Sequence, residues 1–229
     1  MITRDVGRLR SKMAGYRKAI DRAKGIIHEG LEKCPDAFVA CSFGKDSSVL
    51  LDLVKREKPD IEARFVRWDE SALLYDFDRV IGEWEGRGVD ITQIHLQRDS
   101  LDDKVADRWE RMAKARPAGG SFVGLRAQES KGRRITLAAN GTVYKNVKGF
   151  WRICPLAWLQ TEDIAAYIYE HDLPTLSVYD EEGFQERTAS RVPRNDYMIR
   201  QEMLNKLAAR DPIAFARLEQ IYPEVSEYV

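Results

Sequence analysis

The stretch VACSFGKDSSVLLDLV, residues 39–54, constrains the fold more than any other part of the chain. An apolar run ends in a polar hexapeptide, Ser42 to Ser47, and an amphipathic run starts directly after it. Val39 to Cys41 reads as the end of a buried strand. Ser48 to Val54 reads as helix, with Val49, Leu50, Leu53 and Val54 at helical spacing. The hexapeptide is then a strand-to-helix turn. In an open parallel sheet, ligands bind beyond the carboxyl ends of the strands. The free N–H groups and positive dipole end of the following helix favour an anion there. Gly44 lets the backbone approach a ligand, Ser42 and Ser47 offer hydroxyls, and Lys45 offers a mobile charge for polyphosphate. Asp46 suits a helix cap or a Mg²⁺ held through water. The turn is not a Walker A loop, because Val39 stands where that pattern needs its first glycine and no hydroxyl residue directly follows Lys45. The plain alternative is an ordinary capped connection.

The rest of the chain alternates strand and helix patterns. Residues 5–32 predict one basic amphipathic helix, with Val6, Leu9, Met13, Tyr16, Ile20, Ala23, Ile26 and Ile27 spaced by three and four. Strands are expected at 36–42, 61–68, 89–96 and 121–126, and helices at 46–57, 71–88 and 101–115. Residues 134–146 predict a hairpin turning at Asn140-Gly141. Residues 149–160 begin as strand and bend at Pro155. Thr161 is placed to cap a helix over 162–172, and residues 195–220 are helical again. This alternation argues for an α/β fold: a doubly wound, mainly parallel sheet of about five strands with flanking helices.

Composition narrows the function classes. With 37 basic and 37 acidic residues the formal charge is zero, so no broad polyanion-binding face is indicated and any nucleic-acid contact must be local. Cys34, Cys41 and Cys154 form no paired motif and read as reduced thiols. No apolar run reaches membrane-spanning length, and the first twenty residues lack the apolar core of a signal peptide. The expectation is a cytoplasmic protein with no membrane contact.

The hexapeptide resembles the SGGxDS pyrophosphate loop of the ATP-pyrophosphatase (PP-loop) superfamily, with Phe43 in place of the first glycine. A second stretch, GLRAQESKGRR at 124–134, is similar to the Gly-Ile-Arg-x-x-Glu-Ser…Arg segment of one branch. That branch contains phosphoadenylyl-sulfate reductases and the small subunit of sulfate adenylyltransferase. A third, ICPLAWLQTEDIAAYIYEHDLPTLSVYD at 153–180, resembles that branch's Pro-Leu-x-x-Trp region and reads physically as core. The resemblance implies an adenine nucleotide α-hydrolase-like fold over residues 36–195, flanked by an N-terminal helix at 1–35 and a helical tail at 196–229. It implies ATP and Mg²⁺ as cofactors. Catalytic roles fall to Lys45, Asp46 and Arg126, with Asp46 on the metal. Nucleotide contacts fall to Ser42, Phe43, Gly44, Ser47, Asp69, Glu129 and Arg133.

The chain departs from the reductase pattern at its C-terminal side. No cysteine follows Cys154, and ERTASRVPRNDYMIR at 186–200 carries Ala189 and Ser190 where ligands or a nucleophile would stand. Serine is a far weaker nucleophile than a thiolate. Arg187, Arg191, Arg194 and Arg200 remain as candidates for a phosphate, a sulfate or a nucleic-acid backbone. The expected activity is therefore attack on the ATP α-phosphate with pyrophosphate release, adenylyl transfer to an anionic or carbonyl-bearing acceptor. The alternatives are a sulfonucleotide reductase using a borrowed thiol, which would require Cys41 or Cys154, or a non-catalytic nucleotide-binding subunit working with a protein partner or a second copy.

Overall fold

In the computed structural model, residues 1–103, 108–194 and 196–229 are described. The elements in chain order are α1 (Arg4–Arg10), α2 (Ala14–Lys33), β1 (Phe38–Ala40), α3 (Lys45–Glu57), β2 (Glu62–Trp68), α4 (Ser71–Leu74), α5 (Phe77–Gly86) and β3 (Asp90–Leu96). They continue with α6 (Arg108–Ala115), β4 (Gly120–Val123), a 3₁₀ turn (Ala127–Glu129), α7 (Lys131–Asn140), β5 (Val143–Lys145) and β6 (Trp151–Ile153). The chain closes with α8 (Thr161–His171), α9 (Val178–Glu182), α10 (Tyr197–Arg210), α11 (Pro212–Ile221) and a 3₁₀ turn at Pro223–Tyr228.

The sheet has six strands in the order β3-β2-β1-β4-β6-β5. Every neighbouring pair is parallel except β5 with β6. Alternation along β1 and β2 sends side chains to opposite faces. Val39, Ala63 and Phe65 enter a core shared with α2, α3, α5 and α8, while Phe38, Val66 and Trp68 pack with Met112 of α6. Helices therefore cover both faces, as a doubly wound sheet requires. The order reverses between β1 and β4, so the crevice at their carboxyl ends is the topological switch point where ligands bind in such sheets.

Several local expectations need correction. The sheet has six strands rather than about five, because the short β5 adds an antiparallel edge. The predicted hairpin over 134–146 is helix through Asn140. Ser130 caps α7 by accepting the Arg133 N–H at 3.1 Å, and Gly141 ends it at φ +78°. An Asn-Gly pair serves a helix end as well as a hairpin turn, since both need the left-handed region. The predicted helix over 5–32 breaks between Arg10 and Ala14. Gly7 lies against the backbone of α8, where an added Cβ would sit 2.4 Å from the Ala165 carbonyl oxygen. That close crossing directs α1 away from the line of α2. The helix over 71–88 likewise breaks at Tyr75-Asp76, and Asp211-Pro212 divides the tail into α10 and α11, with Asp211 capping the second. Thr161 is the first residue of α8 rather than its cap, and Asp163 accepts the Gln160 N–H at 2.9 Å. Of the helix predicted over 101–115, Arg108–Ala115 is observed, and 104–107 lie outside the described residues. None of the described helices is long and apolar enough to cross a membrane.

Candidate functional site

The turn between β1 and α3 and the loop after β4 meet at the switch point. Gly124 packs directly on the turn, where a Cβ would lie 3.6 Å from the Ser47 amide nitrogen. Within the turn, Ser47 Oγ donates to the Gly44 carbonyl at 3.0 Å and accepts the Ser42 N–H at 3.2 Å. Ser42 Oγ lies 3.2 Å from the same hydroxyl. The two serines thus hold the turn in shape as well as lining it. Gly44 is confined: a Cβ would come within 2.9 Å of Thr188 Oγ1 and 3.2 Å of the Tyr179 hydroxyl.

Phe43 departs from its expected place in the nucleotide contact. Its backbone takes φ +53°, and its ring is fully buried against Phe65, with centroids 5.4 Å apart. The left-handed backbone costs roughly 1–2 kcal/mol for such a residue. Burying the ring contributes roughly 1.5–3 kcal/mol, enough to hold it. Phe43 anchors the turn to the core and leaves only its backbone at the site.

The charged residues converge, but on each other. Arg126 is 3% exposed, and its Nε lies 2.7 Å from Asp46 Oδ1. The two atoms are not aligned as a hydrogen bond, and Asp46 Oδ1 is a buried acceptor without a hydrogen-bond partner. Arg126 Nη1 donates to Gln128 Oε1 at 2.8 Å and approaches Thr161 Oγ1 at 3.3 Å. Lys45, 5% exposed, reaches Asp46 Oδ2 at 3.3 Å and donates to the Glu186 carbonyl at 2.8 Å. Its backbone N–H donates to the Tyr179 hydroxyl at 3.2 Å. One carboxylate therefore stands between two cations at the start of a helix.

Other predicted residues are placed further out. Glu129 Oε2 accepts the Arg126 N–H at 3.1 Å and pairs with Arg133, so it fixes the loop rather than standing free for a metal. Arg133 is half exposed on the first turn of α7. Asp69 follows β2 as an exposed residue, and its neighbour Glu70 is the buried acid. The arginines of 186–200 divide. Arg200 is consumed by Asp102, Tyr228 and backbone carbonyls, and Arg194 by the Asp102 carbonyl. Arg187 donates to the Glu129 carbonyl at 2.8 Å, and Arg191 lies over the Trp68 ring at 4.9 Å.

Two groups at the site escape sequence reasoning. Tyr179 lies within a quoted motif but carries no local sign that its hydroxyl reaches Lys45. Thr188 shares a 2.6 Å hydrogen bond with that hydroxyl, and nothing in its own neighbourhood points there.

The cysteines stand apart. All three are buried, and burial pushes each thiol up to about 12. Such thiols stay protonated near neutrality and are poor nucleophiles. Among the described residues no three His, Cys, Asp or Glu side chains are grouped to hold a metal on their own. A separate cavity of about 330 Å³ is lined by Arg4, Arg79 and Arg87. Those arginines are spent on Asp180, Asp76, Glu83 and the Asp172 carbonyl, so it carries no comparable site.

The phosphoadenosine phosphosulfate reductase domain model matches residues 36–218. The chain belongs to that family. Among curated relatives, the adenosine 5′-phosphosulfate reductase of Staphylococcus haemolyticus is 29% identical over 160 residues, covering 62% of this chain and 64% of the relative. That of Staphylococcus saprophyticus is 27% identical over 177 residues, covering 69% and 72%. The chain thus spans about two thirds of the length of these relatives. Among solved structures, Candida glabrata FMN adenylyltransferase with FMN and the ATP analogue AMPCPP aligns with a TM-score of 0.57 at 17% identity, covering 77% of this chain and 67% of that one. Candida auris phosphoadenylyl-sulfate reductase, in a phosphate complex, aligns at 0.52 and 15%, covering 70% and 84%. These likenesses establish the fold, an adenine nucleotide α-hydrolase-like α/β architecture.

Proposed function

We propose that the chain binds ATP at the Ser42–Ser47 turn and transfers its adenylyl group, with pyrophosphate leaving. The observation that carries this reading is the convergence of Arg126 and Lys45 on Asp46 at the switch point, at 2.7 and 3.3 Å from its carboxylate oxygens. Two cations beside a helix N-terminus suit a polyphosphate, and positioning with charge neutralisation is most of what such a transfer needs. Lys45 would neutralise the leaving pyrophosphate, and Arg126 the α-phosphate or the acceptor. Ser42, Gly44 and Ser47 would line the turn, with Asp69, Glu129 and Arg133 around its rim.

Asp46 is a carboxylate at the turn whose Oδ1 has no aligned hydrogen bond, and it would hold a Mg²⁺ once its contacts with Arg126 and Lys45 open. Mg²⁺ commonly takes one or two carboxylates and completes its shell with phosphates and water. Bound there, it would supply charge neutralisation on the phosphates. The FMN adenylyltransferase neighbour, seen with an ATP analogue, supports the compatibility of this fold with such a substrate.

A second reading is favoured by the names of the curated relatives: reduction of a sulfonucleotide, with the attacking thiol supplied by another protein. Both readings share an adenine nucleotide with an activated 5′-phosphate. They separate in one assay. Pyrophosphate release from ATP–Mg²⁺ in the presence of an acceptor supports the first. Sulfite release from adenosine 5′-phosphosulfate or its 3′-phosphorylated form, with a dithiol reductant, supports the second and overturns the first.

The burial of the thiols yields a further expectation. Replacing Cys34, Cys41 and Cys154 together by alanine is expected to leave nucleotide turnover within about twofold of the parent. Stability should fall by about 1–3 kcal/mol per buried site. Turnover per folded molecule, with folding followed by urea titration, checks this. Abolished turnover in a folded triple variant would assign one of these thiols to the reaction.

A further inference from the structure

Residues 186–192 cross the carboxyl end of the sheet without helix or strand structure. Side chains and carbonyls tether this strap to every wall of the site. Lys45 Nζ donates to the Glu186 carbonyl at 2.8 Å. Arg187 reaches the Glu129 carbonyl at 2.8 Å. Thr188 binds the Tyr179 hydroxyl at 2.6 Å. Ser71 Oγ donates to the Ser190 carbonyl at 2.5 Å, and Arg98 donates to the Val192 carbonyl at 3.1 Å. The first of these tethers uses a group that the turn would otherwise present to phosphate, and the third buttresses Tyr179, which occupies another. A backbone N–H has one hydrogen, and that of Lys45 is spent on Tyr179, which Thr188 holds in place. The Lys45 ammonium is divided between Asp46 and the strap.

We propose that residues 186–192 are a self-inhibiting strap, closed on the phosphate turn, which must lift before a phosphate-bearing nucleotide seats there. The Glu186 carbonyl competes with the ligand for the Lys45 ammonium, and Thr188 steadies the Tyr179 hydroxyl that occupies the Lys45 N–H. The strap is fixed at its ends, by the Glu186–Lys206 ion pair and by Val192 buried in the C-terminal core. Between them it is held by single hydrogen bonds rather than by a sheet or a helix, so lifting its middle is within reach of ligand binding energy. A ligand that binds only the open form has its apparent affinity reduced by the open fraction. Loosening a tether therefore tightens binding, the reverse of removing a ligand contact. This inference rests on the reading of Ser42–Ser47 as a phosphate turn and not on which reaction follows.

The test is calorimetric titration of the full chain with ATP–Mg²⁺ and with adenosine 5′-phosphosulfate, comparing the parent with Arg187→Ala and Thr188→Ala. Hydrogen exchange of 186–192 is followed in the parent, with and without nucleotide. Both variants are expected to bind about 2- to 10-fold more tightly, the worth of one net hydrogen bond. Nucleotide should also speed exchange across the strap. Unchanged or weaker binding in either folded variant, or a strap protected by nucleotide, overturns the proposal. Should one variant fail to fold, the other variant and the exchange measurement decide. Binding without pyrophosphate release removes adenylyl transfer and leaves the strap standing. No binding of either nucleotide by all three proteins removes the phosphate turn and the strap with it.

Discussion

Arg126→Ala is expected to lower turnover by about 10²–10³, the usual effect of deleting one electrostatic stabiliser, while weakening ATP binding far less. A contact that strengthens as charge moves to the transition state shows itself in turnover more than in ground-state affinity. Arg126 is placed for this: it is 3% exposed and its Nε is 2.7 Å from Asp46. The same placement adds a stability cost, because the alanine leaves Asp46 with Lys45 as its close cation. The Asp46 side chain keeps 17% exposure, so solvent softens that cost to about 1–3 kcal/mol, below the figure for a fully buried broken pair. Asp46→Asn separates the two effects. It removes the charge that Arg126 neutralises and the carboxylate that would hold Mg²⁺, so turnover should also fall by about 10²–10³. In a double-mutant cycle the stability losses of the two substitutions should be non-additive by 0.5–3 kcal/mol, as for residues in contact. Arg126→Lys should rescue only partly, since an ammonium cannot serve Gln128, Thr161 and Asp46 in one planar fork. Pyrophosphate release and ATP calorimetry on the same preparations decide the matter. Equal losses in both would make Arg126 a plain binding residue, and no loss in either would make residues 124–134 an ordinary loop.

Legibility followed the range of the interaction. The Ser42–Ser47 turn is readable because strand, turn and helix signals lie next to one another, and the structure starts the α3 helix within it, at Lys45. The loop after β4 was also readable. The pairing of Arg126 with Asp46 was not, because it depends on β1 and β4 lying side by side, which no local pattern encodes. The direction of the Phe43 ring was unreadable for a related reason: whether a ring in a polar turn faces ligand or core depends on Phe65 of the neighbouring strand. The helix over Lys131–Asn140 was obscured by Ile135 and Thr136, which favour strands, and by Asn140-Gly141, which serves two kinds of chain ending. Ser130 was the available counter-signal, a capping residue at the right distance ahead of the glycine. The roles of Glu70, Arg98, Tyr179 and Thr188 came only with the tertiary structure.

Arg98→Met is expected to be the most destabilising single change, at about 3–5 kcal/mol, a large share of the 5–15 kcal/mol that holds a typical domain folded. The Arg98 and Glu70 side chains are both fully buried, with Nη2 and Oε1 2.5 Å apart. Glu70 also accepts the Tyr222 hydroxyl at 3.1 Å, and Arg98 Nη1 donates to the Leu101 carbonyl at 2.8 Å. Burial first, and then Glu70, push Tyr222 up to about 12, so its hydroxyl remains a donor. This group joins the ends of β2 and β3 to the C-terminal helices, whose core of Leu204, Leu218, Tyr222 and Val225 packs on Leu74, Leu101 and Val192. Removing the arginine alone strands a carboxylate in that core. Removing both charges, as in Arg98→Met with Glu70→Met, takes away the stranded charge and should recover much of the loss, because apolar residues of similar volume often replace a buried pair at little cost. Urea unfolding checks this through the midpoint, with the slope as a second readout. A double variant less stable than Arg98→Met alone would show that the Glu70–Tyr222 hydrogen bond, which Arg98→Met leaves in place, is worth more than relief of the stranded charge. A shallower slope in Arg98→Met would show those helices detaching before the sheet, which would also free the Val192 end of the 186–192 strap.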